Sequence, residues 1–308
     1  MSMSDNWTPN IIPDLSGKII IITGANSGIG FEATREIVRK SAEVIVASRD
    51  AFKAEAAILK IKDEIPDAKL KFMELNLANL DSVRKFAEEF KSKYTRLDIL
   101  LNNAGIMMVP YGKTIDGFEN TVGTNHLGHF LLTGLLLDRL STTQGARVVN
   151  VSSNAHYGGD MDFDNLLFEN ELDYTPMKAY SRSKLANLLF TYELQRRFES
   201  KGMDVIALAA HPGISATNLA NHLFFKRITW LIQPLMKIIF QSSAMGALPS
   251  LRAAIDPEAR GGLYYGPDGK GEKSGYPVIV SSNEASHDLQ DAKKLWLISE
   301  QLTGISYL

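Results

Sequence analysis

The chain has 308 residues, with 33 Lys and Arg against 35 Asp and Glu, a formal net charge of −2, and 45% hydrophobic residues. That balance is expected of a soluble globular protein and argues against sequence-wide attraction to nucleic acid or anionic lipid. With no cysteine, disulfides, thiolate nucleophiles and cysteine-ligated metal centres are excluded, and a cytoplasmic location is the expectation.

Residues 1–16 lack a basic region followed by an apolar core, so no secretory signal is read there. From residue 18 onward, short β-branched apolar runs alternate with longer stretches of helical period. Strands are predicted over 18–23, 43–48, 69–75, 97–102, 146–152, 203–210 and 263–265, and helices over 29–40, 51–64, 80–94, 115–140 with a break, and 178–200. Continuous apolar strands separated by helices imply an α/β fold: one doubly wound, Rossmann-type parallel sheet of about seven strands, covered on both faces. No internal repeat or flexible linker divides it, so residues 1–308 read as a single domain. Two segments break the rhythm, 156–177 and the apolar excursion 213–250. Ligands bind beyond the carboxyl ends of such strands, so both are expected to enclose a substrate as lids. Within the excursion, 223–240 carries Lys226, Arg227, Gln233, Pro234 and Lys237, which disfavour a membrane-spanning helix. It reads as a cover over an apolar substrate or as a peripheral membrane contact, and both readings imply a hydrophobic substrate.

The first strand runs into Thr23, Gly24, Ala25, Asn26, Ser27, Gly28, Ile29 and Gly30 and then a helix. Glycines there let the backbone turn and approach a pyrophosphate, which the free N–H groups and dipole of the helix start would attract. The second strand ends in Ser48 and Arg49, with no acid to hold ribose hydroxyls and a guanidinium suited to a 2′-phosphate, which points to NADP(H) over NAD. Tyr180 and Lys184 lie four apart near the start of a helix, on one face. At about 5 Å and an effective dielectric of about 20, the ammonium would favour tyrosinate by roughly 3 kcal/mol, about two pKa units. Ser153, at a strand end, offers a hydroxyl to polarise a carbonyl. Asn102, Asn103, Ala104 and Gly105 close the fourth strand, and Asn125 sits in a helical stretch where Asn needs a compensating role.

Through TGANSGIG at 23–30, NNAG at 102–105, Asn125, Ser153, YSRSK at 180–184 and Pro212-Gly213, the chain resembles the short-chain dehydrogenase/reductase family over nearly its whole length. TNHLGHFLLT at 124–133, AYSRSKLANLLFT at 179–191 and KKLWLISEQLTG at 293–304 are similar to its retinol-dehydrogenase-like branch. The resemblance implies a catalytic tetrad: Tyr180 as acid/base, Lys184 holding the nicotinamide ribose and lowering the Tyr180 pKa, Ser153 steadying the substrate oxygen, and Asn125 holding a relay water. It also implies that Asn76, Leu77, Asn103, Ala104 and Gly105 border the adenosine, and that Pro212, Gly213, Ile214 and Thr217 meet the nicotinamide end. Asn76 departs from the family's usual Asp, although an amide still offers adenine a donor and an acceptor. Members often pair through the helices carrying Asn125 and Tyr180, which implies a homodimer, while Leu185, Leu188 and Leu189 serve equally well as intramolecular core.

No metal site is expected, since the six histidines show no ligand spacing. His126 and His129 read as packing or hydrogen-bonded core, whereas His156, just after Ser153, is expected to line the substrate pocket with Met107 and Met108. The resulting expectation is an NADP(H)-dependent oxidoreductase, a carbonyl reductase or alcohol dehydrogenase, acting on a small hydrophobic carbonyl or alcohol of retinoid, steroid or aromatic character. Two alternatives use the same fold: a non-catalytic dinucleotide-binding redox sensor or partner-binding module, and a C=C reductase of the protochlorophyllide-reductase type. Asn125, Ser153, Tyr180 and Lys184 together argue against the first, and Ser153 against the second.

Overall fold

The computed structural model describes residues 6–214 and 241–308. Its strands are β1 Ile19–Thr23, β2 Glu43–Ser48, β3 Lys69–Glu74, β4 Ile99–Asn102, β5 Ala146–Val151, β6 Val205–Ala210, β7 Tyr264–Pro267 and β8 Pro277–Val280. They form one sheet in the order β3-β2-β1-β4-β5-β6-β7-β8. All neighbours are parallel except β7 and β8. The direction of winding reverses between β1 and β4, which opens a crevice at their carboxyl ends, the place where such sheets bind ligands. The unanticipated eighth strand is a four-residue edge strand beginning at a proline, with Ile279 exposed, too short and too irregular to register as a strand pattern.

The described α-helices are α1 Gly28–Val38, α2 Ala51–Glu64, α3 Leu80–Lys93, α4 Asn120–Val122, α5 Gly128–Leu135, α6 Leu137–Ser141, α7 Pro176–Ser200, α8 Ser243–Ile255 and α9 Leu289–Thr303. A π turn, Gly123–Leu127, joins α4 to α5. Alternation along β1 sends Ile20 and Ile22 into a core with α1, α2 and α8, and Ile21 into a core with α3, α5 and α7. Because both faces are buried, the strand reads as unbroken isoleucine, each side chain contributing roughly 1.5–3 kcal/mol by burial.

Three expected boundaries shift. Residues 115–119 form a turn, with the Thr114 N–H donating to the Phe118 carbonyl at 2.7 Å. Helix begins only where the buried Glu119 carboxylate accepts the Thr121 and Val122 N–H groups, each at 2.8 Å. The second shift concerns the proposed 213–250 lid. Residues 243–250 belong to α8, a core helix packed against α1 and the sheet, because its face of Ala247, Leu248 and Leu251 is apolar. Residues 215–240, including the 223–240 stretch, lie outside the described residues.

The third is the 156–177 segment, whose last two residues begin α7; the rest is docked as a fixed layer. Leu166 packs against Leu185, Leu189 and α9, and Leu167 and Phe168 pack against Val122, Leu127 and Ala179. Arg182, buried in α7, donates to Asp160 from Nε (3.0 Å) and Nη2 (2.8 Å) and to the carbonyls of Asn165 (2.5 Å) and Leu166 (3.2 Å). Leu185, Leu188 and Leu189 are thereby intramolecular core.

Candidate active site

Beyond Thr23 the chain turns through Gly24 (φ +67°) and Gly28 (φ +56°), both left-handed. A Cβ on Gly30 would press into the Gly24 carbonyl and lie 2.6 Å from the Asn103 amide nitrogen, so the turn closes only on glycine. Ser27 caps α1 with extended backbone and no side-chain capping bond, and Ile29 is buried behind it. A cleft of about 420 Å³ opens at this corner, lined by Asn26, Ser27, Gly28, Phe31, Lys53 and Ser243 among others.

At the end of β2, Ser48 is buried and bonded to Asp50, while Arg49 is exposed and makes no ion pair among the described residues. Asp50 caps α2 through the Lys53 N–H and pairs with the Lys53 ammonium at 3.0 Å. After β3, the Asn76 side-chain oxygen accepts the Ala78 N–H at 3.1 Å. Leu77 is buried in the core, its carbonyl against Gly128.

At the end of β4, the N–H groups of Asn103 and Ala104 both donate to the Thr23 hydroxyl at 2.9 Å, and the Asn103 amide donates to the Thr23 carbonyl at 2.8 Å. A Cβ on Gly105 would meet Asn125 Oδ1 at 3.3 Å and Lys184 Nζ at 3.5 Å. The NNAG turn therefore touches both. Asn125 lies within the π turn, a local widening of helices frequent at functional sites. Its amide accepts the Ile106 N–H (2.8 Å) and donates to the Ile106 carbonyl (2.9 Å) and to Ser183 Oγ (3.0 Å), which satisfies the buried group.

Thr175 caps α7 and Pro176 starts it, placing Tyr180 and Lys184 one turn apart along its inner face. The Lys184 ammonium donates to the Val151 carbonyl at 3.0 Å and lies 5.5 Å from the centre of the Tyr180 ring. Ser153 follows β5; its hydroxyl accepts the Ala155 N–H at 3.2 Å and acts on the Tyr180 phenol in favour of its ionised form. The four residues thus converge at the carboxyl ends of β4 and β5, beside Gly105.

The sequence profile of the family described as short chain dehydrogenase matches residues 18–165. Retinol dehydrogenase 12 of Mus musculus is 41% identical over 296 residues, which cover 95% of this chain and 88% of that protein. The chain belongs to the short-chain dehydrogenase family. Polyprenol dehydrogenase of Homo sapiens is 39% identical over 301 residues, covering 96% of this chain and 88% of that one. A solved structure of an uncharacterized protein from Mycobacterium Paratuberculosis is 42% identical, covers 98% of this chain and 99% of its own, and superposes with a TM-score of 0.82. Within the short-chain dehydrogenases this chain falls on the retinol-dehydrogenase-like branch, and it is an oxidoreductase.

Two expectations for this short-chain dehydrogenase need correcting. His156 is fully buried rather than on a pocket wall: its Nδ1–H donates to the Ser153 carbonyl at 2.7 Å and its Nε2 accepts the Asn283 N–H at 3.2 Å. It therefore supports Ser153 from behind. The Tyr180 pKa is raised, not lowered. Burial pushes the phenol up, and the Ser153 hydroxyl draws it only partly back. Burial acts on Lys184 as well, lowering it to about 8.

Of the apolar candidates, Met107 is half-buried and Met108 is exposed with φ +54°. Past β6, Gly213 has φ +65° and a Cβ there would strike the Lys273 carbonyl, which also accepts the Ile214 N–H at 2.8 Å. Gln241 donates to the Pro212 carbonyl through its side chain and to the Ile214 carbonyl through its N–H at 3.0 Å, so it is anchored to the turn that follows β6. Thr217 lies outside the described residues. Among the described residues no His, Asp and Glu cluster could hold a metal, and no helix is long and apolar enough to cross a membrane.

Sequence reading missed the buried polar seam beneath the site. Asn102 bonds Asn150 (2.8 Å) and Thr133 (3.2 Å), Asn150 bonds Thr191 (3.0 Å), and Asn187 joins Lys184 on the Val151 carbonyl (3.2 Å). Nothing in spacing reveals it, since its members come from β4, β5, α5 and α7.

Burial also holds two histidines neutral, His126 at a pKa of about 3 and His129 at about 4, against 6.5 for the free side chain. Unfolding then takes up protons below about pH 6.5, so stability is full above that pH and is lost as pH falls toward 4. Urea midpoints should drop between about pH 7 and 5 by the equivalent of about 2 kcal/mol for each histidine, before the carboxylates titrate.

Proposed function

We propose that this chain is an NADP(H)-dependent oxidoreductase interconverting an alcohol and an aldehyde or ketone on a bulky apolar substrate, with Tyr180 as the acid/base. One observation carries the reading: Ser153, Tyr180, Lys184 and Asn125 converge beside Gly105 at the carboxyl ends of the central strands.

The residues present fit a dinucleotide. Only glycine is accommodated at Gly30, the α1 start is free of side-chain caps, and the adjoining cleft reaches Lys53. Arg49 would hold a 2′-phosphate, and Asp50, already engaged at α2, is not placed to hold ribose hydroxyls. When bound, the nicotinamide supplies or accepts the hydride at the substrate carbon. The half-buried Tyr180 retains its proton at neutral pH and donates it from Oη to the carbonyl oxygen in reduction, taking it back in oxidation. With its oxygen already accepting from Ala155, the Ser153 hydroxyl, which otherwise acts on the Tyr180 phenol, turns its hydrogen to the same substrate oxygen. Lys184, mostly cationic at neutral pH, stabilises the tyrosinate left behind. Asn125 fixes Ile106, and with it the turn that carries Gly105.

Retinol and polyprenol in the relatives' names support an apolar alcohol or aldehyde as substrate. The test is to supply retinoid and long-chain aldehydes with NADPH or NADH and follow nicotinamide absorbance. Turnover preferring NADPH is expected, and Arg49→Ser should raise KM for NADPH by about tenfold or more while leaving NADH unaffected. Equal use of both nucleotides by the parent protein would overturn the cofactor assignment.

A further inference from the structure

His129 has an unusual position for a residue of an apolar helix. It is buried near the start of α5, between the nucleotide turn and the π turn. Its Nε2 lies 2.9 Å from the Thr23 hydroxyl and its Nδ1 lies 3.0 Å from the Asn125 carbonyl.

The donors and acceptors fix the ring's state. The Thr23 oxygen already accepts two N–H groups, from Asn103 and Ala104, so its own hydrogen is the one left to give. The Leu101 carbonyl, at 3.5 Å, is a poor recipient, while His129 Nε2 is well placed. The carbonyl of Asn125 can only accept, so Nδ1 carries the ring proton. The result is a chain in one direction, from the N–H groups of Asn103 and Ala104 through Thr23 to His129 and on to Asn125. Neither ring nitrogen is left over, so a proton-relay role for the ring has no place.

We propose that His129 is a positioning residue that holds the nucleotide turn in register with the segment carrying Asn125, so that cofactor and catalytic groups are placed by one bridge. The proposal rests on the oxidoreductase reading above. Its neutral ring agrees with burial and the nearby Lys184 charge, which outweigh the Asn125 carbonyl in lowering its pKa.

Two half-bridges test it. His129→Asn keeps a donor near Nδ1 but cannot reach Thr23, whereas His129→Gln keeps an acceptor near Nε2 but loses the Asn125 bond. Fluorescence titration should show NADPH Kd raised about tenfold in His129→Asn, the size of one lost hydrogen bond, and within about twofold of the parent in His129→Gln. In His129→Gln kcat should fall about tenfold with KM little changed. Nitrogen-15 NMR of the parent protein, which needs neither folded variants nor turnover, should show a neutral Nδ1–H ring across about pH 6 to 8. A protonated ring or the opposite tautomer in that range would overturn the bridge. So would parent-like Kd and kcat in both variants with only a lowered Tm, since His129 would then be core packing. A parent protein that binds NADPH and shows the stated tautomer but reduces no carbonyl sinks the oxidoreductase reading, while the Kd contrast still decides the bridge. A parent protein that binds no NADPH sinks both.

Discussion

Replacing Tyr180 with Phe is expected to lower kcat by about 10³-fold while NADPH Kd stays within about twofold. The Tyr180 ring is carried by α7, and its phenol is the acid/base group on which the Ser153 hydroxyl acts. Phe keeps the ring's packing and removes only the transferable proton, so fold and cofactor cleft should survive intact. Burial holds the proton on through neutral pH, and Lys184 remains charged until its pKa of about 8. Turnover in the reducing direction should therefore fall as pH rises past about 8, where Lys184 loses the charge that stabilises tyrosinate. Stopped-flow reduction across pH, with equilibrium NADPH titration of the parent and Tyr180→Phe, measures both effects. An undiminished kcat in the variant would remove Tyr180 from the chemistry.

The second large effect concerns stability. Arg182→Met should destabilise the protein by about 3 kcal/mol, read as a shift in the urea midpoint. The guanidinium is buried, stacks 4.2 Å from the Phe168 ring, and donates to two carbonyls of the 156–177 segment as well as to Asp160. Met fills much of the volume but leaves those carbonyls without their donor. Asp160 is half-exposed and can turn to water, which keeps the loss below that of a wholly buried pair. Phe168 is held at φ +55°, a strained conformation for a bulky residue that its surroundings must enforce, so the segment should loosen first. Faster proteolysis within 156–175 than elsewhere would accompany the lost stability. An unchanged midpoint would mean that the apolar contacts of Leu166 and Leu167 alone hold the layer in place.

Much of the architecture was legible because the relevant physics is local. Apolar runs such as Ile19 to Ile22 announce strands buried on both faces, and Gly24, Gly28 and Gly30 announce a turn that side chains would block. The spacing of Tyr180 and Lys184 on one helix placed them together for the same reason. The β8 edge strand and the start of α4 escaped, the first being short and proline-led, the second depending on Glu119 as a cap. Helix α8 escaped because its apolar face resembles the rest of the excursion, and only the packing partner separates a core helix from a lid.

By itself the amino-acid sequence determined the family, the doubly wound sheet and the identity of the residues gathered at its crevice, since each is written in contiguous motifs and periodic burial. The tertiary structure decided the environment of those residues. Elements distant in sequence bury Lys184 and part of Tyr180, which turned an expected downward shift of the phenol upward. His156 and His129 likewise acquired their partners, Asn283 and Thr23, across 127 and 106 positions of chain. Hydrogen-bond partners and desolvation are properties of what packs around a group, and no local pattern encodes them.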